Sequence, residues 1–185
     1  KKAQGSVSPM SLNYLQAIFN LVEENNSKII LVIYPYHAQI LALFEVTNLW
    51  PLFNQWKSLV VNELIDMNQY SAQIELYDYS GYSLYHCERI PPIGDLLSAT
   101  QWYWEAGHFK KELGDIILEE ILRSNETILS KVMSMNYSQT SLGIRLLDQN
   151  SFLLNQNRII QQRLMCECNY PELFTDAAIL VRASQ

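Results

Sequence analysis

Apolar positions change their period several times along the chain, and each change marks an element. Leu15, Ile18, Phe19 and Val22 recur at i, i+3, i+4 and i+7, one stripe of a helix. Ser8 and Pro9 suit its N-cap and first helical position, and a polar turn over residues 23–27 closes it. Residues 28–34, K-I-I-L-V-I-Y, then show no alternation and strong β-branching. A run apolar on both faces predicts a central parallel strand covered by helices on each side. A short helix is expected over 38–46 and a second from Pro51, with Phe53, Trp56, Val60 and Leu64 on one face. Residues 73–79 read as another strand. The stretch 28–79 is therefore β–α–β, with parallel pairing and a right-handed crossover by default.

Residues 81–104 hold Pro91-Pro92 and Gly94 and read as an irregular loop. A helix from His108 or Phe109 to Arg123 follows, burying Leu113, Ile117 and Ile121. Beyond it the pattern predicts helices over 126–135 and 151–165 and a short edge strand over 178–181. Two strong strands make a poor sheet, and the 28–34 strand wants a neighbour on both edges. The chain also opens on Lys1 rather than Met. Both points lead us to expect a piece of a longer polypeptide.

Composition narrows the function classes. The 185 residues carry 13 basic and 19 acidic side chains, net −6, with no basic cluster, which argues against nucleic acid. No apolar run approaches the roughly 18 residues of a membrane span. Six glycines are few for a catalytic α/β domain, whose phosphate loops and nucleophile turns consume them. Three cysteines, Cys87, Cys166 and Cys168, cannot form a disulfide framework. An odd count fits a reducing compartment better, so the cytoplasm is favoured over a periplasmic or secreted location with a removed leader. Cys166-Glu167-Cys168 lacks a second Cys/His pair at zinc spacing, so buried or idle thiols are expected and no metal or cofactor.

In an open parallel sheet, ligands sit beyond the carboxyl ends of the strands. Tyr34-Pro35-Tyr36-His37, Asp78-Tyr79-Ser80-Gly81 and the loop Trp102-Tyr103-Trp104-Glu105-Ala106-Gly107-His108 converge there. Glu105 and His108 lie three apart at the expected helix start, on one side of one turn. A carboxylate there can accept the imidazole N–H and leave the other ring nitrogen as a general base. Equally, Glu105 suits a helix N-terminus through the macrodipole, and His108 can simply fill a turn. Tyr36, His37, Asp78 and Trp104 are the candidate substrate-binding residues. Three of them have a plainer alternative: a hydrogen-bonded loop for His37, an Asx-turn for Asp78, and a loop-pinning aromatic for Trp104.

The order of these pieces resembles the C-terminal half of the SGNH/GDSL hydrolase superfamily, in particular bacterial members of uncharacterised role. The resemblance runs over about residues 10–123. It rests on Tyr34-Pro35-Tyr36-His37-Ala38, on Tyr77-Asp78-Tyr79-Ser80-Gly81-Tyr82 and, most specifically, on the stretch from Glu105 and His108 to Gly114. It implies a flavodoxin-like three-layer fold, a parallel sheet flanked by helices, incomplete at its N-terminal side. Residues 1–123 would be the C-terminal part of that domain and 124–185 a mainly helical extension. It further implies a serine esterase or O-acyltransferase acting on a small-molecule, lipid or glycan ester, with His108 as base and Glu105 as acid. The superfamily usually has Asp at the acid position. Its Ser nucleophile follows an earlier strand; Ser6, outside any buried strand, does not fit that role. The Ser and oxyanion donors would come from the N-terminal half of the same protein or from another chain. The alternative is a non-catalytic binding module with a degraded triad.

Overall fold

The computed structural model describes residues 9–68, 74–92, 94–95, 97–124 and 142–183. The expected Ser8 cap, Ser6 and the helix over 126–135 lie outside these residues. Among them are six helices and two small sheets, a mixed α/β architecture. The larger sheet has three strands in the order β1 (Ile29–Ile33), β2 (Ile74–Asp78), β5 (Ile144–Leu146). As expected, β1 and β2 are parallel, with Leu31 opposite Leu76. The sheet is not wholly parallel, because β5 runs antiparallel to β2, with Leu76 opposite Leu146.

Register fixes the two faces. Ile29, Leu31 and Ile33 share a face with Ile74, Leu76 and Leu146. That face packs against Phe19 and Val22 of α1 (Pro9–Glu24), against Val60, Val61 and Leu64 of α3 (Trp50–Asn68), and against Phe152. On the opposite face Tyr77 joins Tyr79, Tyr103 and Leu142 beneath Leu113, Ile117 and Ile121 of α4 (Lys111–Ser124). A third cluster joins α2 (Ala38–Val46), α5 (Gln149–Asn169) and α6 (Glu172–Ala183) through Leu41, Tyr82, Ile159 and Leu173.

The central strand is β2, buried along its whole length. Glu75 can sit there because Lys28 at 2.7 Å and Arg145 at 3.0 Å neutralise it and the Tyr77 hydroxyl donates to it at 3.2 Å. By contrast β1 is an edge strand among the described residues, with Ile30 38% and Val32 44% exposed. Among the described residues the expectation of a central strand covered on both faces is therefore not met: β1 has one strand neighbour, and its second face stays exposed. Ile18 also departs from its predicted stripe. It is exposed with Tyr14 and Leu21 along a second line of α1, while Phe19 and Val22 face inward.

Two further local corrections concern periodicity. The expected edge strand at 178–181 is part of α6, where Leu173 and Ala177 are buried at i, i+4; a four-residue apolar run does not distinguish strand from helix. The helix expected from His108 or Phe109 begins instead at Lys111. His108–Phe109 forms β4, which pairs antiparallel with β3 (Tyr103–Glu105). The Lys110 amide donates to the Trp102 carbonyl at 2.7 Å, holding the chain in the hairpin one residue before α4 starts. The expected helix over 151–165 is present as α5, opened by a capping box between Asp148 and Ser151. Residues 142–183 are mainly helical and also supply the third strand of the sheet.

The cysteines are not idle thiols. Cys87 and Cys166 form a disulfide that ties the loop after β2 to α5, and Cys168 stays free and exposed. Sequence spacing cannot reveal that pairing, since 79 residues separate the two partners. Denatured, unreduced protein should titrate one thiol with a chromogenic disulfide reagent, and three after reduction. Reduction should lower the stability to denaturant by about 2–4 kcal/mol. Three reactive thiols without reductant would rule the crosslink out.

Candidate functional site

The carboxyl ends of β1 and β2 carry the residues of interest. After β1, Pro35 leads to His37, whose Nδ1 accepts from the Gln39 amide at 3.2 Å and caps α2. Its Nε2 donates to the Glu88 carbonyl at 2.9 Å, which sets the tautomer. Burial pushes the His37 imidazole down to about 4, so the ring is neutral. Tyr36 is half-buried, and Tyr34 lies between it and Phe109 of the hairpin, with ring centroids 4.9 and 5.1 Å apart.

The β3–β4 hairpin is built over this segment. The Tyr103 hydroxyl donates to the Pro35 carbonyl at 2.8 Å, the His37 amide donates to the Ala106 carbonyl at 3.2 Å, and the Tyr103 ring meets the His37 ring edge-on at 5.0 Å. One carboxylate holds the hairpin's approach: Glu88 accepts from the Trp102 and Tyr103 amides at 2.9 Å each and from the Gln101 amide. Glu88 follows Cys87 directly, so the disulfide also fixes the base of the hairpin.

At its tip Glu105 and His108 do meet, across a tight β-turn rather than along a helical turn. His108 Nδ1 hydrogen-bonds Glu105 Oε1, and the Gly107 amide donates to Oε2 at 2.8 Å. Both side chains are exposed, 79% for His108 and 60% for Glu105. The Gly107 amide, then the His108 ring, hold the Glu105 carboxyl below its ordinary range. With Nδ1 engaged, His108 turns Nε2 away from the carboxylate, the arrangement of an oriented general base. Trp104 is exposed beside them, with the Lys110 ammonium 4.8 Å from its ring centre.

Asp78 faces the interior and hydrogen-bonds neither member of that pair. Its Oδ1 accepts from the Ser80 amide at 2.8 Å, an Asx-turn, and from the Ser80 hydroxyl at 2.6 Å. Its Oδ2 accepts from Lys57 Nζ at 3.0 Å and Asn155 Nδ2 at 2.6 Å. Lys57, Asp78, Ser80 and Asn155 are all fully buried. Arg158 continues the network to Asn155 Oδ1 at 2.8 Å and to the carbonyls of Leu142 and Ser80. Nearby, buried His86 donates from Nε2 to the Tyr79 carbonyl at 2.7 Å and contacts the Ser83 hydroxyl at 2.6 Å through Nδ1. Burial pushes its imidazole down to about 3.

Sequence reasoning passed over Lys57, Asn155, Arg158 and Glu88. Lys57 did leave a signal, since it stands within the apolar stripe of Phe53, Val60 and Leu64, where a cation needs a buried partner. Asn155, Arg158 and Gln162 likewise fall at i, i+3 and i+7 on α5, a polar stripe on a buried face. Glu88 left none, because its ligands are main-chain amides.

No protein-family model, curated protein or solved structure matches this chain. Among the described residues no helix is long and apolar enough to cross a membrane, and no group of three or more His, Cys, Asp or Glu is placed to hold a metal ion.

Two outcomes follow from this geometry. Asp78→Ala strands the Lys57 ammonium in the interior and should cost about 3–5 kcal/mol in denaturant unfolding; a cost under about 1 kcal/mol would mean that Lys57 is not held as described. The neutral His37 should also make folding acid-sensitive. Its folded value of about 4 lies below the unfolded value of 6.5, so between these the unfolded chain binds more protons. Stability is then full above pH 6.5 and falls as pH drops towards 4, by up to about 1.4 kcal/mol per unit. Buried His86, pushed down to about 3, adds a slope of the same sign over that window. His37→Asn, which keeps a capping side chain, should therefore reduce the pH dependence of the unfolding midpoint by about half. Unchanged slopes would clear His37 of that role.

Proposed function

We propose that this chain carries the base and acid of a serine ester hydrolase or O-acyltransferase of the SGNH type, with the Ser nucleophile supplied by polypeptide outside the described residues. One observation carries the reading: the Glu105–His108 contact stands exposed on a hairpin at the carboxyl end of β1. In this reading Glu105 orients His108 and stabilises the imidazolium. His108 Nε2 takes the proton from the Ser hydroxyl as its oxygen attacks the ester carbonyl. The same nitrogen returns the proton to the departing alkoxide, leaving an acyl-serine. Water or an acceptor hydroxyl, deprotonated by His108 in turn, attacks the acyl carbonyl, and His108 returns that proton to the departing Ser oxygen as the acyl–Ser bond breaks. Oxyanion donors must arrive with the nucleophile. A small-molecule or glycan ester fits a site this open, with Trp104 as an apolar platform beside the base and the half-buried Tyr36 near the floor. The flavodoxin-like three-layer arrangement belongs to the same proposal, supported by α1 and α3 on one face of the sheet and α4 on the other.

A second reading, a non-catalytic module of the same fold, has one observation in its favour. Glu stands where the superfamily usually has Asp, and both members of the pair are exposed at the tip of the turn.

A fluorophosphonate probe on the full natural polypeptide separates the two. The hydrolase reading expects covalent labelling that His108→Ala abolishes and Glu105→Gln slows by about 10²-fold or more. Absence of labelling in a folded protein favours the binding module. Labelling that survives His108→Ala removes His108 from the mechanism.

A further inference from the structure

Among the described residues β1 forms one edge of the larger sheet. Ile29–Ile33 reads I-I-L-V-I, without a charge, a proline or a bulge, the devices by which natural sheets protect an edge. Alternate backbone N–H and C=O groups of a strand paired on one side point outward along its free edge. Apolar surface flanks that edge on both faces. On one lie exposed Ile30 and Val32. On the other is a groove of about 290 Å³ lined by Leu12 and Leu15 of α1, Leu31 of β1, and Trp56 and Val60 of α3. The exposed line of Tyr14, Ile18 and Leu21 runs along the same helix.

The placement of α1 says what fills the edge. The segment β1–α3–β2 is a parallel crossover with its helix on the Leu31 face. Helix α1 precedes β1, lies on that same face and contacts α3, with Gln16 donating to Glu63 at 3.2 Å. Crossovers between parallel strands are right-handed almost without exception. For strands of one direction, two crossover helices on one face must then step across the sheet in the same sense. A strand joined to β1 through α1 therefore lies on the side of β1 away from β2, which is the open edge.

We infer that the edge of β1 is a docking site for a parallel β-strand belonging to the polypeptide that leads into α1, with apolar residues at alternating positions facing the groove and Ile30/Val32. This follows from handedness and surface alone and does not depend on the hydrolase reading.

Residue-resolved amide hydrogen exchange tests it, comparing the 185-residue chain with the natural polypeptide that includes residues encoded upstream of Lys1. In the shorter chain the outward amides of Ile29–Ile33 should exchange rapidly while those of β2 are protected. In the longer polypeptide the same amides should slow by about 100-fold or more. Ile30→Lys with Val32→Lys, at residues still more than half buried, should lower the melting temperature of the longer polypeptide by clearly more than that of the shorter chain. Three results overturn the inference: outward amides equally fast in both; an upstream sequence with no strand-length apolar run; or a stable dimer of the shorter chain with the edge already protected, which would assign it to a second copy.

Discussion

One buried carboxylate, Asp78, ties α3, α5 and the turn after β2 together. It sits at the end of the central strand, and both oxygens are saturated, each by two donors. Lys57 ties in α3, Ser80 folds the chain sharply after β2, and Asn155 brings in α5. Arg158 passes the connection to the Leu142 carbonyl, just ahead of β5. A buried pair of this kind adds little net stability over apolar residues of the same shape, because desolvation offsets the Coulomb attraction. Its effect is geometric. An ammonium and a carboxylate without water tolerate few arrangements, whereas apolar side chains tolerate many, so α3 and α5 are fixed in register over one end of the sheet.

From that end the constraint passes outward by hydrogen bonds of decreasing burial. Ser83 and His86 shape the loop after the Asx-turn, and the His86 carbonyl accepts from the Ala38 amide at the start of α2. Cys87 is crosslinked to α5, and Glu88 then serves twice: its carbonyl holds His37 and its carboxylate gathers the amides ahead of Tyr103. At the tip of the hairpin Glu105 and His108 face solvent. Behind that pair, His37, Tyr103 and His86 are buried.

How much of this was legible follows from the range of each signal. The helices α1, α2, α3 and α5 and the parallel β1–β2 pair are written in local periodicity and were readable. The meeting of Glu105 with His108 was readable too, but on a false premise, because a three-residue spacing brings side chains together across a tight turn as well as along a helix. What escaped was non-local. The pairing of Cys87 with Cys166, the antiparallel arrival of β5 and the grip of Glu88 on main-chain amides have partners far away in sequence and no periodicity. Lys57 is the intermediate case. A charge inside an apolar stripe announces an unseen partner without naming it.

The open edge of β1 and the exposed pair at its carboxyl end are linked by strand direction. Loops that follow parallel strands all emerge at one end of a sheet. A strand docked parallel on β1 would therefore deliver its own following loop beside Ala106 and His108, about one strand spacing, ~5 Å, to the side. An antiparallel occupant, such as a second copy of β1 related by a two-fold axis, would present that end with the start of a strand instead. The handedness that puts α1 on the Leu31 face thus selects the one orientation of an added strand that also brings a new loop to the imidazole. Completing the edge in this orientation would also place a new loop next to the exposed Glu105–His108 pair.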